Sequence, residues 1–95
     1  MDLTEEDQAA VEGGLQAEAL LGMEFFTKLV EDLTLAAALD LLGTKPEASV
    51  ERERIYHKSQ GLQAVLEELH GRVAAKESVM FRLEQEAALK APEDE

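Results

Sequence analysis

The sequence predicts an all-α fold: a helical hairpin with a long C-terminal coiled-coil-like helix and a short N-terminal helix, which we expect to be oligomeric. Two observations lead to this fold class. Apolar side chains recur every three or four residues through the second half of the chain. A short connection containing Lys45-Pro46 separates that half from a strongly apolar segment that ends at Gly43. Because a connection of about six residues normally joins antiparallel neighbours, these two segments should form the hairpin.

The long helix is predicted over about residues 48–89 and carries the clearest pattern. Eleven positions follow one another in steps of four and three residues, and eight of them are apolar. Spacing that averages about 3.5 residues is typical of a helix that presents one narrow apolar seam to another helix. The pattern leaves open whether the seam contacts the same chain, a second copy or a different protein. The eleven positions are Ile55, Ser59, Leu62, Leu66, Leu69, Val73, Lys76, Met80, Leu83, Ala87 and Lys90.

The N-terminal helix is predicted over about residues 4–21. Thr4 is a suitable N-cap, and the acidic residues that follow it suit the positive end of the helix dipole. Adjacent Gly13 and Gly14 each cost roughly 1 kcal/mol relative to alanine inside a helix. We therefore expect fraying or a bend before Leu15.

The middle helix is predicted over about residues 23–42, between a break at Gly22 and a C-terminal glycine, Gly43. Its C-terminal half is apolar on two faces, which one partner helix cannot cover. Either three helices of one chain surround it or a second subunit does, and the weak first helix favours the second subunit. One face contains Phe26, Val30, Leu33, Ala37 and Leu41, and the other contains Leu35, Leu39 and Leu42.

Ninety-five residues without cysteine predict a single domain over residues 1–91 that is stabilised by association instead of by disulfides. The acidic end, residues 92–95, is expected to be disordered. No apolar run is long enough to span a membrane, and the N-terminus is acidic where a signal peptide would be basic. We expect a soluble, intracellular protein with no membrane partner.

The formal charge of −12 is concentrated in the first half of the chain. Residues 1–47 contain eleven carboxylates and two lysines, whereas residues 48–95 contain ten carboxylates and seven basic side chains. The local basic cluster of Arg52, Arg54 and Lys58 is interleaved with glutamates, which disfavours direct binding to a phosphate backbone. Arg52 and Arg54 are better interpreted as charge partners of the acidic second helix, within one chain or between subunits.

The sequence contains no recognisable catalytic arrangement, and we predict neither catalytic residues nor a cofactor. The most specific chemical pattern is Glu67-x-x-His70, which on a helix, with Glu31 from the preceding helix, could form a ferritin-like metal site on dimerisation. The seam passes through Leu66 and Leu69, however, and leaves Glu67 on the outer flank. We therefore favour no metal, and a non-enzymatic protein.

Residues 17–83 resemble a group of small helical proteins that tailed bacteriophages encode near their head and packaging genes. The resemblance implies a partner among phage virion or DNA-packaging proteins, and a location in the host cytoplasm or the virion. It rests on packing positions and carries no catalytic signature. The matching segments are Ala17-Glu18-Ala19-Leu20-Leu21, Phe25-Phe26, Thr44-Lys45-Pro46-Glu47, Arg52-Glu53-Arg54-Ile55-Tyr56 and Gly61-Leu62-Gln63-Ala64-Val65.

Three functions follow as hypotheses. The leading one is a non-enzymatic helical interaction protein that self-associates into a homo-oligomer and binds a phage structural or packaging protein. The first alternative is an acidic inhibitor, a nucleic-acid mimic that acts on a host nucleic-acid-binding enzyme, and the second is the ferritin-like metal-binding dimer. In the leading hypothesis the interface residues are Phe26, Val30, Leu33, Leu62, Leu66, Leu69 and Val73.

Overall fold

The computed structural model describes residues 3–90, so the disorder predicted for residues 92–95 lies outside the described part of the chain. Three α-helices follow one another: α1 (Glu5–Leu21), α2 (Glu24–Leu42) and α3 (Ser49–Lys90). Residues 3–90 contain no β-strand, and the predicted all-α hairpin with a long C-terminal helix is confirmed. The helix bounds differ by at most one residue from those predicted. Over the same residues, no helix combines the length and apolar character needed to cross a membrane.

The single domain expected over residues 1–91 divides by its contacts into two compact units. In the first unit, α1 up to Ala19 packs against the part of α3 from Leu69 onward. The second unit is the segment Leu20–Glu68, which contains α2 and the N-terminal half of α3 and forms the helical hairpin. Residues of α3 belong to both units, up to Glu68 in the hairpin unit and from Leu69 in the other.

The start of α1 is fixed by reciprocal hydrogen bonds between two side chains and the backbone. The backbone N–H of Asp7 donates to Thr4 Oγ1 over 3.0 Å, and the N–H of Thr4 donates to Asp7 Oδ2 over 3.2 Å. Each bond satisfies an N–H group that the first helical turn leaves without an intrahelical acceptor. The predicted N-cap at Thr4 is confirmed.

The fraying or bend expected before Leu15 does not interrupt α1, which is helical through both glycines. Gly14 is buried against α3, where a Cβ would lie 2.2 Å from Lys76 Cβ and 2.8 Å from the Arg72 carbonyl oxygen. A Cβ at Gly13 would meet nothing within 4 Å. Gly14 therefore permits the close approach of α1 to α3, and packing offsets its low helix propensity.

The connection from α2 to α3 is attached to the end of α2 by a side-chain hydrogen bond. Gly43 ends α2 with φ of −80°, in the right-handed region, so no left-handed residue closes this helix. The Thr44 hydroxyl donates to the Leu41 carbonyl over 2.6 Å at the end of α2. Ser49 is the first residue of α3.

The apolar seam of α3 departs from the predicted spacing at several positions. Ser59, Met80, Ala87 and Lys90 are exposed, whereas Val79 is buried and Glu86 is half-buried. An α-helix has 3.6 residues per turn, so a row spaced at 3.5 residues drifts by about 20° per heptad. After Lys76, the next covered residue of α3 is consequently Val79 instead of Met80.

Candidate interaction surface

An open groove lies along the hairpin between α2 and the N-terminal half of α3. Its volume is about 690 Å³. The groove is apolar along its floor, where Leu33, Ala37, Ile55 and Leu62 lie, and polar along its edges. A long open groove between two helices, with an apolar floor, is the shape that accepts a further helix.

Side chains on α2 are covered less well than those on α3. No residue of α2 is buried, although the helix is apolar on two faces. Phe25 is 75% exposed and Leu33, at the groove, is 48% exposed. Exposure of neighbouring large apolar side chains on one helix is typical of a surface that binds another protein.

The two apolar faces of α2 have different surroundings. Phe26, Val30, Ala37 and Leu41 are half-buried within the hairpin unit. On the other side of the helix, Leu35 is 58% and Leu42 is 82% exposed. We call Leu35, Leu39 and Leu42 the outer face of α2, of which Leu39 also reaches the edge of the groove. The prediction that a single neighbouring helix cannot cover both faces agrees with these exposures.

Charges at the groove are separated between the two helices. The side that α2 contributes contains one acid, Asp40, and no base. The side that α3 contributes contains Arg54 and Lys58, with Glu51 nearer the connection. Within residues 3–90, Asp40, Arg54 and Lys58 form no ion pair, so their charges are available to a ligand.

Arg52 closes the end of the hairpin beside the connection. Its Nη1 donates to Thr44 Oγ1 over 2.7 Å and to the Leu41 carbonyl over 3.5 Å. A guanidinium at these groups also suits the negative end of the α2 dipole. Arg52 is thus a partner of α2 within one chain, which is one of the two alternatives predicted from the sequence. Its acceptors are a hydroxyl and a carbonyl instead of a carboxylate.

The predicted interface residues occupy both units. Phe26, Val30, Leu62 and Leu66 are half-buried in the hairpin unit, and Leu69 and Val73 are half-buried in the unit that contains α1. Leu33 is the exposed member of the set and lines the groove. Much of the seam is therefore covered by helices of the same chain, while Leu33 remains accessible.

Two ion pairs hold α1 against the C-terminal half of α3. Lys76 Nζ donates to Glu18 Oε1 over 2.5 Å, and the Arg82 guanidinium donates to Asp7 Oδ2. The hydrogen bond from Arg82 lowers the pKa of the Asp7 carboxyl below its usual value, and hydrogen bonds from Thr4 act in the same direction against the opposing effect of burial. Arg82 Nε also lies 3.9 Å from Glu86 Oε1.

The candidate metal ligands do not form a site in the described structure. Glu31, Glu67 and His70 are all exposed. Over residues 3–90, no group of three or more histidine, aspartate or glutamate side chains could hold a metal ion. His57, the other histidine, lies beside Tyr56 with ring centroids 5.9 Å apart, and its Nδ1 is 3.3 Å from Gln60 Oε1.

The sequence predicted Arg52 and Arg54 as charge partners of α2, but Arg54 forms no ion pair within residues 3–90 and lines the groove with Lys58 and Asp40. The role of Asp40 and the groove itself were not predicted. The signal for Asp40 is its position four residues after Ala36 and seven after Leu33, which places it on the same flank of α2.

Comparison of the chain with protein-family models, with curated proteins and with solved structures finds no match.

Proposed function

We propose that this chain is a non-enzymatic helical interaction protein that self-associates and binds another protein through α2. The observation that carries the proposal is that α2 has no buried residue while its large apolar side chains line a groove and an outer face. Apolar surface of this extent on one short helix favours association, because each side chain removed from water contributes roughly 25 cal/mol per Å².

The outer face of α2 is the part of this surface that best suits a different protein. Leu35 and Leu42 of this face lie on the side of α2 away from the half-buried row, so a partner helix can reach them without displacing α3. The resemblance to small helical phage proteins indicates the partner, a virion or DNA-packaging protein, and a place of action in the host cytoplasm or the virion.

The test is co-purification with the virion and packaging proteins encoded beside the gene for this chain. Leu35→Ser with Leu42→Ser removes two exposed apolar side chains of the outer face. A matched control, Phe81→Ser with Leu89→Ser, removes two exposed apolar side chains of α3. We expect the first variant to lose the partner and the control to retain it, with both keeping wild-type helicity by circular dichroism.

Salt separates this function from the acidic nucleic-acid mimic. A complex formed through apolar side chains should persist as ionic strength rises, whereas a complex formed through surface charge weakens once the Debye length falls below about 8 Å. Equal retention of the partner by both variants, together with its release in high salt, would contradict the proposal and favour the mimic.

A further inference from the structure

The covered core of this protein is small for a chain of its length. Within residues 3–90 the buried apolar side chains are Ala17, Ile55 and Val79, and none of the described side chains is completely enclosed. Small domains without disulfides or metals commonly complete their core by association. The hairpin unit, with one buried apolar residue and an open groove, is where this shortfall is most concentrated.

From this shortage of core and the charges at the groove, we infer that the groove is filled by α2 of a second copy. The inference rests on the self-association in the proposed function and specifies its geometry. Two hairpins pack groove to groove as a four-helix bundle, with α2 of each copy against α3 of the other. Leu33 and Ala36 of one copy then contact the apolar floor of its partner's groove.

Charge complementarity selects this pairing of helices. The groove side of α2 presents Asp40, and the groove side of α3 presents Arg54 and Lys58, with Glu51 nearer the connection. Asp40, Arg54 and Lys58 have no ion-pair partner in residues 3–90. Placing α2 beside α3 of the second copy brings acid against base. Placing α2 beside α2 would instead bring the groove sides of two α2 helices together, with no base opposite Asp40, which is unfavourable.

The register follows from two-fold symmetry. When every neighbouring pair of helices in the bundle is antiparallel, the two connections lie at the same end, and residues at one level of a hairpin face the same level of its partner. Asp40, near the C-terminal end of α2, is then level with Arg54, near the N-terminal end of α3. The next turn of α3 places Lys58 beside Ala36 on the same flank.

Charge exchange on the intact chain tests the pairing. Asp40→Lys should weaken self-association roughly tenfold or more in sedimentation equilibrium, because it sets like charges opposite one another. The variant Arg54→Glu with Lys58→Glu should do the same, and mixing the two variants should restore a particle of twice the chain mass of 10.4 kDa. The control Glu31→Lys makes the same charge change on the exposed far side of α2 and should leave the dimer intact.

Cysteine cross-linking tests the geometry, because the described chain contains no cysteine of its own. Asp40→Cys protein mixed with Arg54→Cys protein should form disulfide-linked dimers faster than either protein alone. Faster cross-linking of Asp40→Cys with itself, or of Ala36→Cys with itself, would overturn the pairing because both require α2 beside α2.

The possible outcomes separate the inference from the proposed function. A wild-type dimer that Asp40→Lys leaves unchanged overturns the groove pairing and retains self-association through another surface. A wild-type chain that is folded and monomeric at every concentration overturns both. Loss of helicity in Asp40→Lys alone is resolved by the mixture, since recovery of the dimer on mixing supports the pairing and failure to recover overturns it.

Discussion

Gly14 shows how one residue sets the distance between two helices. It lies in the interior of α1, where glycine is unfavourable, yet its missing Cβ is what lets α1 lie against Lys76 and the backbone at Arg72. Ala17, one turn later on the same face, is 3% exposed. Small side chains at this contact bring the two helices close enough for the ion pairs of Asp7 and Glu18 to form.

The two adjacent glycines of α1 provide a matched pair of substitutions. Gly13→Ala should stabilise the protein by about 0.5 to 1 kcal/mol, because its Cβ meets open space and only helix propensity changes. Gly14→Ala should destabilise it by about 1 to 3 kcal/mol, because its Cβ would lie inside contact distance of Lys76 Cβ and force the helices apart. Urea unfolding followed by circular dichroism measures both changes.

Equal or greater stability of Gly14→Ala relative to Gly13→Ala would show that α1 does not approach α3 as the structure places it. Gly61 and Gly71 offer no such contrast, since a Cβ at either position meets nothing within 4 Å. Neither glycine therefore marks a close approach between helices within the described residues.

At the scale of the element, α1 is attached to α3 through one acidic residue with two roles. Asp7 accepts from the Thr4 backbone at the helix start and from Arg82 of α3, and it is 8% exposed. The same carboxylate therefore both begins α1 and docks it. Since its pKa is lowered in the folded state, its ionised form contributes to stability.

Because the pKa of Asp7 is lowered in the folded state, its contribution to stability decreases at acidic pH. The contribution of Asp7 is complete above the pKa of an unfolded aspartate, about 3.9, and is lost as the pH falls through the lower folded pKa. Asp7→Asn should therefore lower the thermal midpoint at pH 7 and have a much smaller effect near pH 2, relative to wild type at each pH. Thermal unfolding by circular dichroism measures both differences.

Glu6→Gln is the control for this effect, because Glu6 is exposed in the same turn of α1 and forms no ion pair within residues 3–90. It should change the thermal midpoint little at either pH. If Asp7→Asn has the same effect at neutral and acidic pH, then the ionised carboxylate does not hold α1 in place.

At the scale of the whole molecule, more large apolar side chains are exposed than are buried within residues 3–90. Leu35, Leu39, Leu42 and Phe25 are each more than half exposed on α2, whereas the hairpin unit has Ile55 as its buried apolar residue within the described chain. A protein of this kind gains stability when association covers that surface.

The thermal midpoint of the wild-type chain should rise with protein concentration. Association that binds the folded state adds stability by mass action, so a range of about a hundredfold in concentration should raise the midpoint measurably. Differential scanning calorimetry measures it, with Asp40→Lys as the control whose midpoint should depend less on concentration. A midpoint that is constant over this range would contradict a dimeric native state.

The sequence by itself determined the helices of this protein and the covered apolar positions of α3 from Ile55 to Val73. Capping residues, glycine breaks and the 3.5-residue period act locally, so they fixed bounds to within one residue. Only the tertiary structure decided that Gly14 is a contact instead of a bend, that Thr44 caps α2, and that Val79 is buried in place of Met80. It also placed Asp40 across a groove from Arg54 and Lys58. These outcomes depend on which residues of a neighbouring helix lie opposite, and that information is not contained in the periodicity of one helix.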